Sequence, residues 1–192
     1  IEDKVLRTVG DGHERFHEDA LRMLRAMRFS VQLNFSISSE TIESILKNSE
    51  LLRKISAERI RDEFVKIIMS ENPSTGIVML QKFNLLKNII PELEEGIGCE
   101  QLGEHIYDVW EHLLYALQHA ANKNWPLEIR LAALFHDIGK PKSRRLISRV
   151  QKNFPALPAS GLRHGENFSV PASSKKKYTF YGDEVIAARI AK

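Results

Sequence analysis

Apolar residues return at intervals of three and four along most of this chain, and sustained alternation is rare, so the pattern predicts helices. Between about 14 and 31, Phe16, Ala20, Leu24, Met27 and Val31 form one stripe of an amphipathic helix. Ser38 and Ser39 suit the N-cap of a second helix through Ile42, Ile45 and Leu46. Ser56 opens a third, with Ile60, Phe64, Ile67 and Ile68 as its buried side. Asn72 followed by Pro73 predicts a cap and a first-turn proline before Ile77 and Leu80. Pro91 and the pair Gly96 and Gly98 mark a break. Two more helices are predicted, from about 105 to 121 and from Pro126 to Gly139. Residues 143–177, with Pro155, Pro158, Gly161, Gly165 and Pro171, read as a partly mobile loop. From Tyr178 a last helix is predicted, with Val185, Ile186 and Ile190 as its apolar side. The expected fold class is all-α.

The polar side of the first helix is the informative one. Asp19 and Arg22 are three apart and are expected on one face, and Arg25 and Arg28 continue the line at the same step. Two readings stay open. The pair can be an intrahelical salt bridge on a wet surface, or a fixed hydrogen-bonding edge held toward a ligand. An acceptor beside a donor complements cytosine and adenine, which show an amino donor next to a ring-nitrogen acceptor. Guanine and uracil present the reverse polarity, so an Asp–Arg edge accepts C and A and refuses G and U. The run Ser56 to Glu63 is a capped helix start with acidic residues near the positive dipole end. It reads either as a solvated face or as a brace, through Arg59 or Glu63, for the helix carrying Asp19 and Arg22.

A second cluster lies further on. His105, Asp108, His112 and His119 are expected to share a helical face, and His136-Asp137 ends the following helix, between the apolar run Leu131–Phe135 and Gly139-Lys140-Pro141. An adjacent imidazole and carboxylate, with His112 from an antiparallel helix, make three ligands for a divalent metal with positions left for water or a phosphate oxygen. His105 and His119 read as ordinary polar-face or packing histidines. Lys175–Lys177 is a soluble loop or a phosphate contact.

Composition changes this picture little. In 192 residues, 43% hydrophobic and 28% charged is the balance of a globular chain and excludes a disordered one. A net charge of +3 and a pI of about 9.0 are compatible with an anionic partner without showing one. Cys99 is the single cysteine, which excludes an internal disulfide framework, fits a reducing compartment and offers no case for a nucleophile. No apolar run approaches the ~20 residues of a membrane span. The start, Ile1-Glu2-Asp3-Lys4, is no signal peptide and lacks an initiator Met, so a piece of a longer cytoplasmic protein is expected.

Leu6-Arg7-Thr8-Val9-Gly10-Asp11, followed by Arg15 to Phe29 with its Glu18-Asp19-Ala20-Leu21-Arg22 core, resembles the neck of bacterial CCA-adding enzymes. These are the class II tRNA nucleotidyltransferases, with bacterial poly(A) polymerases as close relatives. Ser56 to Glu63 is similar to the next neck motif. His105 to His112 and His136 to Pro141 look like the HD-type region of many members, continued by Tyr178 to Gly182.

The resemblance implies neck and body helices over 1–100 and an HD-like helical region over 101–192. It implies that Asp19 and Arg22 read the base of incoming CTP or ATP, with Arg25, Arg28 and Arg59 completing the nucleotide-binding set. The family's catalytic carboxylates and their Mg2+ belong to an N-terminal head that these residues do not include. No catalytic residue is therefore expected here, and these residues alone are not expected to polymerise. Implied partners are ATP or CTP and the 3′ end of tRNA or another RNA, with neither DNA nor membrane. Where HD-bearing relatives show Gly-His, this chain has Gly182-Asp183, so Asp183 stands as an oxygen ligand beside His112, His136 and Asp137. Two alternatives remain. One is an HD-type phosphohydrolase acting on nucleotides or cyclic phosphates. The other is a non-enzymatic RNA grip through the arginine-lined helix and the loop lysines.

Overall fold

The computed structural model describes residues 3–101, 106–146 and 178–180, and every structural statement concerns these. They are mostly helical, as the spacing predicts, with two minimal ladders. The strand β1 (Val5–Leu6) leads to α1 (Gly12–Glu18) and α2 (Leu21–Leu33), and β2 (Ser36–Ile37) pairs parallel with β1. Then come α3 (Ser39–Asn48), a tight turn over Ser49–Lys54, α4 (Ala57–Ile68), α5 (Pro73–Lys82) and α6 (Pro91–Glu94). The helices α7 (Val109–Asn122), α8 (Leu127–Phe135) and α9 (Lys140–Ser143) follow, and β3 (Arg144–Leu146) pairs antiparallel with β4 (Tyr178–Phe180).

Four expectations are corrected. The single helix over 14–31 is two, because Asp19 is extended at φ −153° and ψ 101°. Its carboxylate accepts the Leu21 N–H at 3.1 Å, the local bond by which aspartate competes with helical backbone. The helix expected from 105 starts at Val109, since Asp108 and Glu111 form a reciprocal capping box there. The helix expected to reach Gly139 stops at Phe135. Tyr178–Phe180 is a strand rather than a helix start, and Arg144–Leu146, expected as loop, is its partner. The rest of that loop and Val185, Ile186 and Ile190 lie outside the described residues.

Caps follow the same logic. Ser38 accepts the Thr41 N–H and Asp11 accepts those of His13 and Glu14, whereas Ser56 and Asn72 make no side-chain cap bond.

One apolar cluster joins these helices, running from Phe16, Leu24 and Met27 through Ile67, Ile77 and Leu80 to Leu113, Leu134 and Ile138. Helix α2 packs on α4 and α5, α5 on α7, and α7 on α8. Arg130 of α8 is 5% exposed and donates to the carbonyls of Trp125, Ile68 and Ser70 at 2.8–2.9 Å, capping the C-terminal end of α4. No described helix is long and apolar enough to cross a membrane.

The contact of α4 with α5 depends on Gly76, where an added Cβ would stand 2.4 Å from Ile67 Cγ2. Ile67 is fully buried and has no room to yield. Alanine gains about 1 kcal/mol of helix propensity at a glycine. The overlap outweighs that gain, and Gly76→Ala is expected to lower stability by about 1–3 kcal/mol in urea denaturation. An unchanged midpoint would show that α5 shifts freely.

Candidate nucleotide cleft and metal-ligand cluster

Two concavities flank the junction of α1 and α2, and the buried ring of Phe16 lines both. One, about 430 Å³, is walled by His17, Asp19, Lys54, Ile55 and Arg59. The other, about 370 Å³, is walled by Arg7, Arg15, Arg22, Arg25, Ala26 and Phe29. Asp19 and Arg22 therefore line different hollows and do not share one helical face. The extended backbone at Asp19 removes the fixed helical offset between them.

Each has another partner. Asp19 Oδ2 accepts from Arg59 Nη2 at 3.0 Å, across from α4. Arg22 Nη1 donates to Glu18 Oε2 at 2.6 Å and to the Arg15 carbonyl at 3.0 Å. Hydrogen bonds from Arg22 and then Arg15 hold the exposed Glu18 carboxyl below its usual range. Arg22 Nε and Nη2 make no hydrogen bond among the described residues, so a guanidinium edge stays available.

Glu63 organises the other arginines. It is 3% exposed, and its carboxylate lies 3.1 Å from Arg28 Nη1, 3.1 Å from Lys66 Nζ and 3.7 Å from Arg25 Nε. One buried anion thus gathers three cations and fastens α4 to α2. Arg28 also stacks on the Phe29 ring at 4.4 Å and lines neither hollow. Sequence reasoning did not mark Lys54, and it placed Phe16 only in the apolar stripe and Glu18 only in the motif core, not as walls or partners of this cleft. Glu63 was named as a brace, and its burial was signalled by its place in the Ile60, Phe64, Ile67 stripe.

Around the His-Asp dyad, His112 from the first turn of α7 meets His136 and Asp137 beyond the end of α8. The two Nε2 atoms are 3.0 Å apart and lie 3.5 Å (His112) and 3.4 Å (His136) from Asp137 Oδ2. Metal bonds of about 2.1 Å set neighbouring donors about 3.0–3.4 Å apart in octahedral or tetrahedral shells, so the trio fits a divalent ion. His136 Nδ1 lies 2.9 Å from the Ala133 carbonyl, and donating there leaves Nε2 as the ligand atom.

The hydrogen bond to Asp137 pushes His136 up against burial. Burial pushes Asp137 up, and hydrogen bonds from His136 and Lys140 overcome it, leaving the carboxyl at about 2. Lys140 Nζ sits 2.6 Å from the same oxygen, Oδ2, so an ion must share it or displace the ammonium. Asp108 is a cap and not part of this face, His119 packs edge-on against Trp125, and His105 and Asp183 lie outside the described residues.

With this geometry in view, the likenesses fall into place. Residues 34–97 match the family model described as the probable RNA and SrmB-binding site of polymerase A. The CCA-adding enzyme of Pediococcus pentosaceus is 53% identical over 77 residues, covering 40% of this chain and 19% of that protein. The CC-adding tRNA nucleotidyltransferase of Thermus thermophilus is 35% identical over 147 residues, covering 71% of this chain and 33% of that one. The crystal structure of the Bacillus stearothermophilus CCA-adding enzyme in complex with CTP is similar at 25% identity and a TM-score of 0.44, over 69% of this chain and 37% of that one.

These likenesses are those of a fragment from the class II CCA-adding enzyme and poly(A) polymerase family. The chain spans 19% and 33% of the length of the two curated relatives above.

Replacing Glu63 by Ala strands three cations, two of them half-exposed. The expected loss is about 2–3 kcal/mol, below the range for a fully buried pair, and Glu63→Gln should lose less. Chemical denaturation checks this, and a loss near zero would mean the arginines are already solvated.

Proposed function

We propose that these helices select the base and support the RNA in a cytoplasmic enzyme that adds C or A nucleotides, from CTP or ATP, to the 3′ end of tRNA or a similar RNA. The observation that carries this reading is the division of partners at the α1–α2 junction: Arg59 orients Asp19, and Glu18 holds Arg22 by one nitrogen only. Each Asp19 oxygen keeps a lone pair for an amino group, and Arg22 keeps Nε and Nη2 for ring acceptors. Cytosine offers its 4-amino group and N3, and adenine its 6-amino group and N1. Guanine and uracil would set a carbonyl against the carboxylate and an N–H against the guanidinium. Base selection thus requires the two side chains to converge, without breaking the contacts that position them.

The relatives' names, CCA-adding and CC-adding, support the same substrate class. In this reading residues 1–100 are neck and body, and 101–192 an HD-like region. Arg25, in the second hollow with Arg22, supports phosphate, and Arg28 steadies that row from behind. The phosphoryl chemistry belongs to Mg2+-binding carboxylates of a separate head.

In the complete enzyme, Asp19→Ala or Arg22→Ala should lower the preference for C and A over G and U by roughly 10–100-fold, the worth of one paired edge. Incorporation assays with each nucleotide measure it, and retained discrimination would refute the reading.

The convergence of His112, His136 and Asp137 favours a second activity, phosphohydrolysis of nucleotides or cyclic phosphates. A divalent ion held there would supply an activated water. Here His136 presents Nε2 because Ala133 takes its other nitrogen, and Lys140 neutralises Asp137 until an ion arrives. Metal analysis is expected to find Ni, Co, Mn or Mg bound, and His136→Ala to abolish both the metal and phosphatase activity. Activity untouched in that variant would remove the second reading.

A further inference from the structure

A different pair of imidazoles lies on α1, well apart in sequence from the His-Asp dyad. Residues His13-Glu14-Arg15-Phe16-His17 place two histidines four apart on a helix, with a glutamate after the first. That spacing stacks the side chains one turn above the other and is a recurrent arrangement for binding zinc. In the folded chain the two rings are in contact, with centroids 4.2 Å apart and planes inclined by 53°. Both residues are exposed, while Gly12 and Phe16 between and before them are buried, so the pair occupies the outer side of the helix.

We infer that His13 and His17 form a separate two-nitrogen site for a borderline divalent transition ion such as Zn2+, Ni2+ or Cu2+. Three observations carry it. The first is the tautomer. His17 Nδ1 lies 3.0 Å from the His13 carbonyl, and a nitrogen donating there leaves Nε2 with its lone pair outward from that bond. The second is that neither ring has a carboxylate partner among the described residues, in contrast to His112 and His136, which both face Asp137. No neighbour has to be displaced for an ion to bind.

The third is a stiff mount. Asp11 caps α1 through the His13 and Glu14 amides, Phe16 is 1% exposed in the core, and Gly12 approaches Ser44 so closely that a Cβ would meet Oγ at 2.8 Å. The turn of helix that carries both imidazoles is therefore held in place before any ion arrives.

The same facts limit the chemistry. No third histidine, cysteine or carboxylate completes a three-ligand group with this pair among the described residues. The site is thus a chelate with water in its remaining positions, rather than a hydrolytic centre with Glu14 as base. Imidazole nitrogens select Zn2+, Ni2+ and Cu2+ over Mg2+ and Ca2+. His17 also lines the hollow of Asp19, Lys54 and Arg59, so a bound ion adds positive charge at the rim of that cleft.

The test is Ni2+ titration of the 192-residue chain by calorimetry, with thermal melting in parallel. The variants are His13→Gln, His17→Gln and His136→Ala. Two events are expected in the wild-type chain. Each glutamine variant should weaken one of them by roughly tenfold or more and cancel its share of the Ni2+-induced rise in Tm. His136→Ala should leave that event in place. Cu2+ spectra should show two nitrogen ligands at this site, with one lost in either glutamine variant. Glutamine at these exposed positions leaves the core untouched, and circular dichroism of the metal-free variants verifies it. Ni2+ binding identical in wild type, His13→Gln and His17→Gln would overturn the inference, as would loss of all binding in His136→Ala.

Discussion

Glu63 sits in the apolar stripe of α4 with its carboxylate out of water, and a buried anion persists only when cations and donors surround it. Here Arg25 and Arg28 come from α2 and Lys66 from its own helix. The arrangement fastens α2 to α4, with two arginines of one row meeting a single carboxylate. That contact also fixes where the neighbouring arginines lie. It leaves Arg22 and Arg25 at the rim of a hollow and draws Arg28 inward. It also brings Arg59, one turn earlier on α4, to Asp19 at 3.0 Å.

The junction between α1 and α2 then decides how Asp19 and Arg22 are presented. A continuous helix would have placed Asp19 and Arg22 side by side, free to neutralise each other. The extended residue at position 19 separates them and gives each a positioning partner of opposite charge. Hydrogen-bonding capacity is kept on both, as acceptor on Asp19 and donor on Arg22, which is the polarity the proposed choice of cytosine and adenine needs. Arg59 and Glu18 settle position and leave lone pairs on Asp19 and N–H groups on Arg22 unused.

Two histidine clusters illustrate opposite electrostatic settings. His112 and His136 meet a carboxylate that is itself held by Lys140, so charge compensation is nearly complete before a metal binds. An ion entering that site must compete with the ammonium but gains an anionic ligand. His13 and His17 meet each other and have no carboxylate or ammonium partner among the described residues, so an ion there displaces none of these and gains no anion. The first arrangement suits chemistry on phosphate, and the second suits chelation of the metals that imidazole alone attracts.

Much of the fold was legible in the chain. Helix spacing identified α2, α3, α4, α5, α7 and α8, because apolar periodicity reports directly which side of a helix is buried. Ser38 worked as a cap where Ser56 and Asn72 did not, since a hydroxyl or amide near a helix start bonds only if its backbone turns correctly. The Glu18–Arg22 core and the His136-Asp137 dyad were visible as residue types at given spacings, and the core carried the resemblance to CCA-adding enzymes. Chain order also marked Arg59 and Glu63 as possible braces.

What it left open were contacts between residues far apart in sequence: Asp19 with Arg59 in particular, Glu63 with Arg25 and Arg28, and Arg130 with the end of α4. Period and propensity act within a turn or two of chain. The side on which a charged group is finally satisfied is decided by which helix packs against it, and only the tertiary structure supplies that partner.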